Sequence, residues 1–276
     1  MSVIPASCQR LVDDAAIFPP GNAPLDRALR EHREHRNSDY ADLIGGFVIS
    51  ELRLPELIDL VGDDDPVPVN LVISGGVGAI EGAVRWAARS GQVELRAVEF
   101  ALRDEDDLAH NARRAITMLD SLEDELGDAA TYVEMPRVDG APSFGWSAAV
   151  EELAMREIPL KFRTGWLDPV SAPTPAELAA CIDIALDHEL PFKCTAGLHR
   201  AVAGDGAHGF LNVMAATVAS LDRADVEATL RETDADALVA TVRTDGERAR
   251  RWFRSFGCCA VLEPHEELVD LGLVES

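Results

Sequence analysis

Short apolar runs alternate with longer amphipathic stretches along nearly the whole chain. Eight runs have the length and composition of buried strands: Ala15–Phe18, Gly46–Ile49, Val69–Ser74, Glu94–Phe100, Thr131–Met135, Leu160–Phe162, Phe192–Thr195 and Cys259–Leu262. Between them lie helix-like stretches at Leu25–His35, Leu54–Leu60, Gly78–Ala88, Glu105–Leu126, Ser147–Met155, Pro175–Asp187, Phe210–Ala219 and Gly246–Phe253. In the sixth of these, Leu178, Cys181, Ile182, Ala185 and Leu186 form one apolar stripe at helical spacing. Thr174, Pro175 and Glu177 supply its N-cap, its first-turn proline and the glutamate of a capping box. A last helix at Glu266–Leu271 follows the eighth run. This alternation predicts an α/β fold, a (β/α)8 TIM-type barrel. The stretch 221–244 is too long for an ordinary connection and reads as an acidic helical insertion before the last strand. With no internal repeat or low-complexity linker, 1–276 reads as a single barrel domain.

The polar positions inside this pattern are more informative than the apolar ones. Glu99 and Glu134 lie at the C-terminal ends of the fourth and fifth runs. Lys161 and Arg163 lie two apart in the sixth, and Lys193 and Thr195 two apart in the seventh, so each pair shares a strand face. Four consecutive strands of a barrel would thus bring these charges together at the C-terminal mouth, where such barrels hold their active sites. Leaving one of them unpaired inside would cost several kcal/mol. The structural alternative is plain ion pairing, Glu99 with Lys193 or Glu134 with Lys161.

Composition sharpens this. The chain has only two lysines, Lys161 and Lys193, against twenty-three arginines. Arginine stays charged, whereas a lysine amine can lose its proton and attack a carbonyl. Both lysines sit in a Lys-x-x-x-Gly pattern, 161–165 and 193–197. A net charge of −24 opposes binding to nucleic acid or to anionic membranes. The first residues lack a signal-peptide pattern, and no apolar run is long enough to span a bilayer. Five cysteines without metal-type spacing fit reduced thiols, so a cytoplasmic protein is expected. The runs Asp63-Asp64-Asp65-Pro66 and Asp104-Glu105-Asp106-Asp107 read as solvated loops or helix starts.

After the seventh run comes a polar, glycine-rich segment. It holds His199 and Arg200, then Gly204-Asp205-Gly206-Ala207-His208-Gly209, and leads into a helix. Such a loop can offer backbone N–H groups to an anion. Arg163, Thr195, Gly197, His199, Arg200 and His208 are therefore the candidate substrate-binding residues. The segment Asp13-Asp14-Ala15-Ala16-Ile17-Phe18-Pro19-Pro20-Gly21-Asn22 opens the first strand and its loop, and its Pro-Pro-Gly turn reads equally as a pocket wall or as a structural turn. Glu51, Arg53 and Ser74-Gly75-Gly76 fall at the mouth, within reach of a substrate. The vicinal pair Cys258-Cys259 reads as small packing residues. No Gly-x-Ser-x-Gly elbow occurs, which disfavours a serine hydrolase.

The paired lysine patterns resemble the class I aldolase barrels of the deoxyribose-phosphate aldolase type. Lys161-Phe162-Arg163-Thr164-Gly165 is similar to that family's Schiff-base strand, and Lys193-Cys194-Thr195-Ala196-Gly197 to the lysine strand that follows it. The resemblance implies that Lys161 is the nucleophile and that Lys193 lowers its pKa by like-charge repulsion. The chain departs from the family at Arg163, at Ala196 and in its third strand, which has no acidic residue.

The leading expectation is a lyase or aldolase-like enzyme for a small anionic carbonyl compound. Lys161 forms an imine or polarises the carbonyl, Lys193 tunes it, and Glu134 and Glu99 move protons. No cofactor is expected on this reading. Two others stay open. In one, Glu99, Glu134 and His199 hold a divalent metal for lyase or isomerase chemistry, with the lysines as acid/base groups. In the other, a non-catalytic barrel binds an anionic metabolite. A homo-oligomer is compatible with all three.

Overall fold

A computed structural model describes residues 4–103, 105–165 and 172–275. Asp104, from the second acidic run, lies outside the described residues. Eight parallel strands close into a barrel in sequence order: β1 (Val12–Asp14), β2 (Ile44–Ser50), β3 (Val67–Ile73), β4 (Val93–Ala101), β5 (Ala130–Glu134), β6 (Leu160–Arg163), β7 (Phe192–Thr195) and β8 (Phe253–Cys258). The helices are α1 (Leu25–Arg36), α2 (Leu54–Val61), α3 (Ile80–Arg89), α4 (Leu108–Asp120), α5 (Glu123–Leu126), α6 (Phe144–Ala154), α7 (Pro175–Asp187), α8 (Phe210–Leu221), α9 (Val226–Leu230), α10 (Ala235–Ala249) and α11 (Leu262–Asp270). The (β/α)8 expectation holds. No helix among the described residues is long and apolar enough to cross a membrane.

The capping box forms as predicted. Thr174 Oγ1 accepts from Glu177 N–H at 3.2 Å, and Glu177 Oε2 accepts from Thr174 N–H at 2.7 Å. Asp107, from the acidic run, caps α4 by accepting from His110 N–H at 2.9 Å. The expected insertion at 221–244 resolves into α9 and most of α10. These pack on α8, whose residues from Phe210 to Ser220 are all buried. A helix apolar all round is one covered on every side.

Two strands lie away from their predicted places. β1 is Val12–Asp14, not Ala15–Phe18. The later run is instead a turn: Asp14 Oδ1 accepts from Ala16 N–H at 3.1 Å, and Phe18 N–H bonds to Ala15 O at 2.9 Å. β8 is Phe253–Cys258, not Cys259–Leu262. Exposed Arg254 interrupts its apolar run, and the apolar residues after Cys259 belong to the start of α11. The helix expected at Gly246–Phe253 is accordingly the end of α10.

β6 and β7 pair in a register that sets Lys161 beside Lys193 and Arg163 beside Thr195. The repeated Lys-x-x-x-Gly pattern thereby brings its two glycines into contact. A Cβ built on Gly165 would lie 2.6 Å from Gly197 Cα, and one on Gly197 would lie 2.6 Å from Gly165 Cα. Gly197 also has φ +89°, a backbone conformation that side chains disfavour. Gly165→Ala should therefore lower unfolding stability by about 2 kcal/mol, since backbone cannot yield as a side chain does. Gly204→Ala, whose new methyl would come no closer than 3.9 Å to Arg200, should be near neutral in the same urea titration. Equal stabilities for the two variants would refute the close contact.

Candidate active site

The barrel interior is polar because some strands contribute small residues where others contribute long charged ones. Gly45 and Gly46 make room for Asp13 and Asn70: a Cβ at Gly45 would lie 2.1 Å from Asp13 Oδ1, and one at Gly46 2.5 Å from Asn70 Oδ1. Into this space project acids and bases from β1, β4, β5, β6 and β7. Lys193 Nζ donates to Asp13 Oδ2 and to Glu99 Oε1, both at 2.6 Å. Lys161 Nζ lies 2.9 Å from Glu99 Oε2 and 2.9 Å from Glu134 Oε2. Arg163 donates to Glu134 Oε1 from Nε at 3.1 Å and from Nη2 at 3.0 Å. The result is an alternating ladder, Asp13–Lys193–Glu99–Lys161–Glu134–Arg163, with three charges of each sign.

The remaining lone pairs are also used. Asp13 Oδ2 accepts from Ser255 Oγ at 2.6 Å, and its Oδ1 from Gly46 N–H at 3.1 Å. The Tyr132 ring lies 5.3 Å from Lys193 Nζ, within cation–π reach. One end of the ladder faces a cavity at the N-terminal end of the barrel, which Asp13, Tyr132, Lys193 and Ser255 help to line. The other end opens at the C-terminal mouth. There Glu134 and Arg163 line a cavity of about 500 Å³ with Arg103, Arg137, Phe162 and Glu177. The Glu177 carboxylate of the capping box also accepts from Gly140 N–H at 3.0 Å and pairs with Arg137 at 3.3 Å, so α7 shapes this cavity.

Burial and pairing oppose each other at every rung. Burial alone would raise the Glu99 pKa, but the two ammonium groups overcome it and hold the carboxyl down to about 2. Glu134 is likewise lowered, burial being outweighed by Lys161 and Arg163. Burial would lower both lysines, yet Glu99 and Glu134 raise Lys161, and Asp13 and Glu99 raise Lys193. The nearness of Lys193 does favour a lower value for Lys161, as the resemblance implied, but its two carboxylates dominate. Both lysines rest as ammonium ions.

The other expected site residues are placed variously. His199 and Arg200 lie together at a separate cavity near β8. The metal set Glu99, Glu134 and His199 is not assembled: among the described residues His199 clusters with Cys258 and Glu263 instead. His208 is buried and its Nε2 bonds to Pro173 O at 2.8 Å, tying two segments together. Thr195, Gly197 and His208 line neither mouth cavity. The anion-binding turn at the start of α8 is already occupied, because Phe210 and Leu211 N–H groups bond to the carbonyls of Arg200 and Ala201. Glu51 is held by Ser74 N–H, Ser74 Oγ and Gly75 N–H at 2.7, 2.7 and 2.8 Å, so it fixes the β3 turn. Asp13 and Asp14 are expected to open the first strand, but Asp13 is not expected in the site, because β1 lies three residues earlier than its apolar run suggests. Its adjacency to Asp14 is the usable signal. Neighbours on a strand face opposite ways, and Asp14 turns outward to His32 Nδ1 at 2.9 Å.

In comparison with known proteins, no family model matches the chain and no curated sequence matches it.

Glu99→Gln should lower stability by about 3–5 kcal/mol, since it strands a cationic excess between two buried lysines. In the unmodified chain, the low Glu99 pKa adds stability that is complete above the unfolded value near 4.5. It is lost as pH falls through about 2, a change of about 3 kcal/mol. The raised lysine values act in the opposite direction, their stabilisation being full below 10.5 and lost only in stronger alkali. Denaturant titrations across acid pH should show that slope, and Glu99→Gln should flatten it. An unchanged slope in the variant would exclude Glu99 as its source.

Proposed function

We propose that the chain is a lyase-type barrel enzyme acting on a small anionic carbonyl compound in the cavity over β4, β5 and β6. The observation that carries this reading is the position of Glu134. One of its oxygens is anchored by buried Lys161, and the other is held by Arg163, whose side chain is 38 % exposed at the mouth. An incoming carboxylate or phosphate can compete for Arg163 as a bidentate partner, with Arg103 and Arg137 on the same wall. Sharing Arg163 with the substrate weakens its hold on Glu134. The Glu134 pKa then rises, and the carboxylate becomes a competent base for a proton α to the carbonyl. The Lys161 ammonium, 2.9 Å from Glu134, favours the carboxylate and so drives the proton from Glu134 back to the substrate at the end of the cycle. Phe162 and Met135 supply apolar wall beside it.

This favours proton-transfer chemistry over an imine. An imine needs Lys161 to release its proton against two carboxylates and to reach a substrate from a position only 4 % exposed. The completeness of the ion pairing also supports the alternative of a barrel that binds an anionic metabolite without turning it over.

With pooled small keto acids and aldehydes in deuterated buffer, at least one compound should exchange its α-proton. Glu134→Gln should slow that exchange by about 10²–10⁴-fold. Borohydride added to the same mixture should leave Lys161 and Lys193 unmodified. An adduct on Lys161, read by peptide mass, would transfer the proposal to imine chemistry. Saturable binding with no exchange would leave a binding protein.

A further inference from the structure

The rim formed by β7, β8 and the turn after β1 carries reactive groups that the charge ladder does not use. Cys259 follows β8 and is half-buried, with its Sγ 3.8 Å from His199 Nε2. The other ring nitrogen, Nδ1, lies 2.8 Å from Glu263 Oε2. Glu263 stands in the first turn of α11, so the helix that closes the barrel delivers the carboxylate. We infer that Cys259, His199 and Glu263 form a thiol nucleophile, its proton partner and an orienting carboxylate, a centre that takes the acyl group of a small anionic thioester or activated ester.

The geometry has the order that nucleophilic catalysis requires: nucleophile to base on one nitrogen, base to orienting group on the other. Cys258 takes a different part. It is fully buried, and its Sγ donates to Ala260 O at 3.3 Å while lying 3.6 Å from His199 Nδ1. Hydrogen bonds to Cys258 and Cys259, together with Glu263, hold the His199 pKa up to about 11 against burial. Nε2 is the nitrogen that faces Cys259 and can exchange a proton with it, while Nδ1 is engaged by Glu263.

The site is also open to a ligand. Pro20, Gly21, His199, Arg200, Cys259 and Glu263 line a cavity of about 590 Å³. A Cβ on Gly21 would lie 3.0 Å from Cys259 Cβ and 2.8 Å from Ala16 O, so the Pro-Pro-Gly turn packs its backbone against the cysteine. Arg200 pairs with Asp205 at 2.9 Å, and both side chains are more than half exposed. An anionic acyl compound can share that guanidinium. Glu267 also borders the cavity but is engaged by Ala201 N–H.

The chemistry closes without an added oxidant or cofactor. The Cys259 thiolate attacks the acyl carbonyl and a C–S bond forms. The thiol or alcohol leaves with the proton from His199 Nε2. Neutral His199 then takes a proton from water as the oxygen attacks the thioester, and the acid departs as the thiolate is restored. This assignment is independent of the reading of Glu134.

The test is alkylation with iodoacetamide at about pH 6, where an ordinary thiol is almost wholly protonated. The tryptic peptide Ser255–Ser276 contains both cysteines, and its fragment masses separate them. Cys259 should react at least about tenfold faster than in His199→Asn, with Glu263→Gln falling between. Acid quenching early in a reaction with p-nitrophenyl acetate should trap an acetyl group on Cys259, ahead of its hydrolysis, and none on the peptide of Cys259→Ala. His199 and Glu263 have partly exposed side chains, so the variants keep their fold. Equal reactivity in His199→Asn, or no acetyl on Cys259, would overturn the assignment. So would zinc at one equivalent on His199, Cys258 and Glu263 whose removal by chelator is needed before either thiol reacts; those ligand atoms lie within 4.8 Å of one another.

Discussion

Glu99 holds two lysines at once, and much of the barrel interior is arranged around that fact. A carboxylate and an ammonium taken out of water each lose several kcal/mol of solvation, which only close, well-directed partners return. Here Lys161, Lys193, Glu99 and Glu134 each have two oppositely charged partners, and the six charges of the ladder sum to zero. The members come from five strands that are distant in sequence. A slip of one residue in any of them would turn its charge to the outer face and leave its partners stranded. The ladder therefore specifies register in a way an apolar interior does not. Its cost is met by the apolar layer between strands and helices, where Phe192, Phe253, Phe256 and Phe210 stack in series.

That same constraint explains what was legible in the sequence. Charges two apart within apolar runs mark interior faces, so β6 and β7 and the ends of β4 and β5 could be placed from Lys161, Arg163, Lys193, Glu99 and Glu134. The scarcity of lysine pointed to the same residues. β1 and β8 were harder, because their edges carry competing signals. Ala15–Phe18 is apolar yet turns back on itself, and Arg254 interrupts β8 with an outward charge. Charge parity was the unused clue. Two lysines and an arginine facing two glutamates require a third acid, and Asp13 is that acid.

The cysteine centre was hidden for another reason. Cys258, Cys259 and Glu263 are close in sequence, but His199 lies about sixty residues earlier, and only closure of β7 onto β8 brings them together. The glycine-rich loop after β7 drew attention as an anion cradle. The first N–H groups of α8 are instead spent on the carbonyls of Arg200 and Ala201, which fastens the loop to the helix and holds His199 and Arg200 at the rim. Rigid attachment of a loop is what a positioned base needs.

Lysine is the nucleophile that the chain's composition first suggests, but carboxylates on both sides keep each lysine cationic. An ammonium can polarise, donate and repay a proton; it cannot attack. The covalent chemistry proposed above is assigned instead to Cys259, set beside an imidazole whose other nitrogen is engaged by a carboxylate. The buried ladder thus does more than hold the barrel in register. By fixing its amines in the charged state, it leaves the proposed proton transfer to Glu134 over β4 to β6 and the proposed acyl chemistry to the rim formed by β7, β8 and the turn after β1.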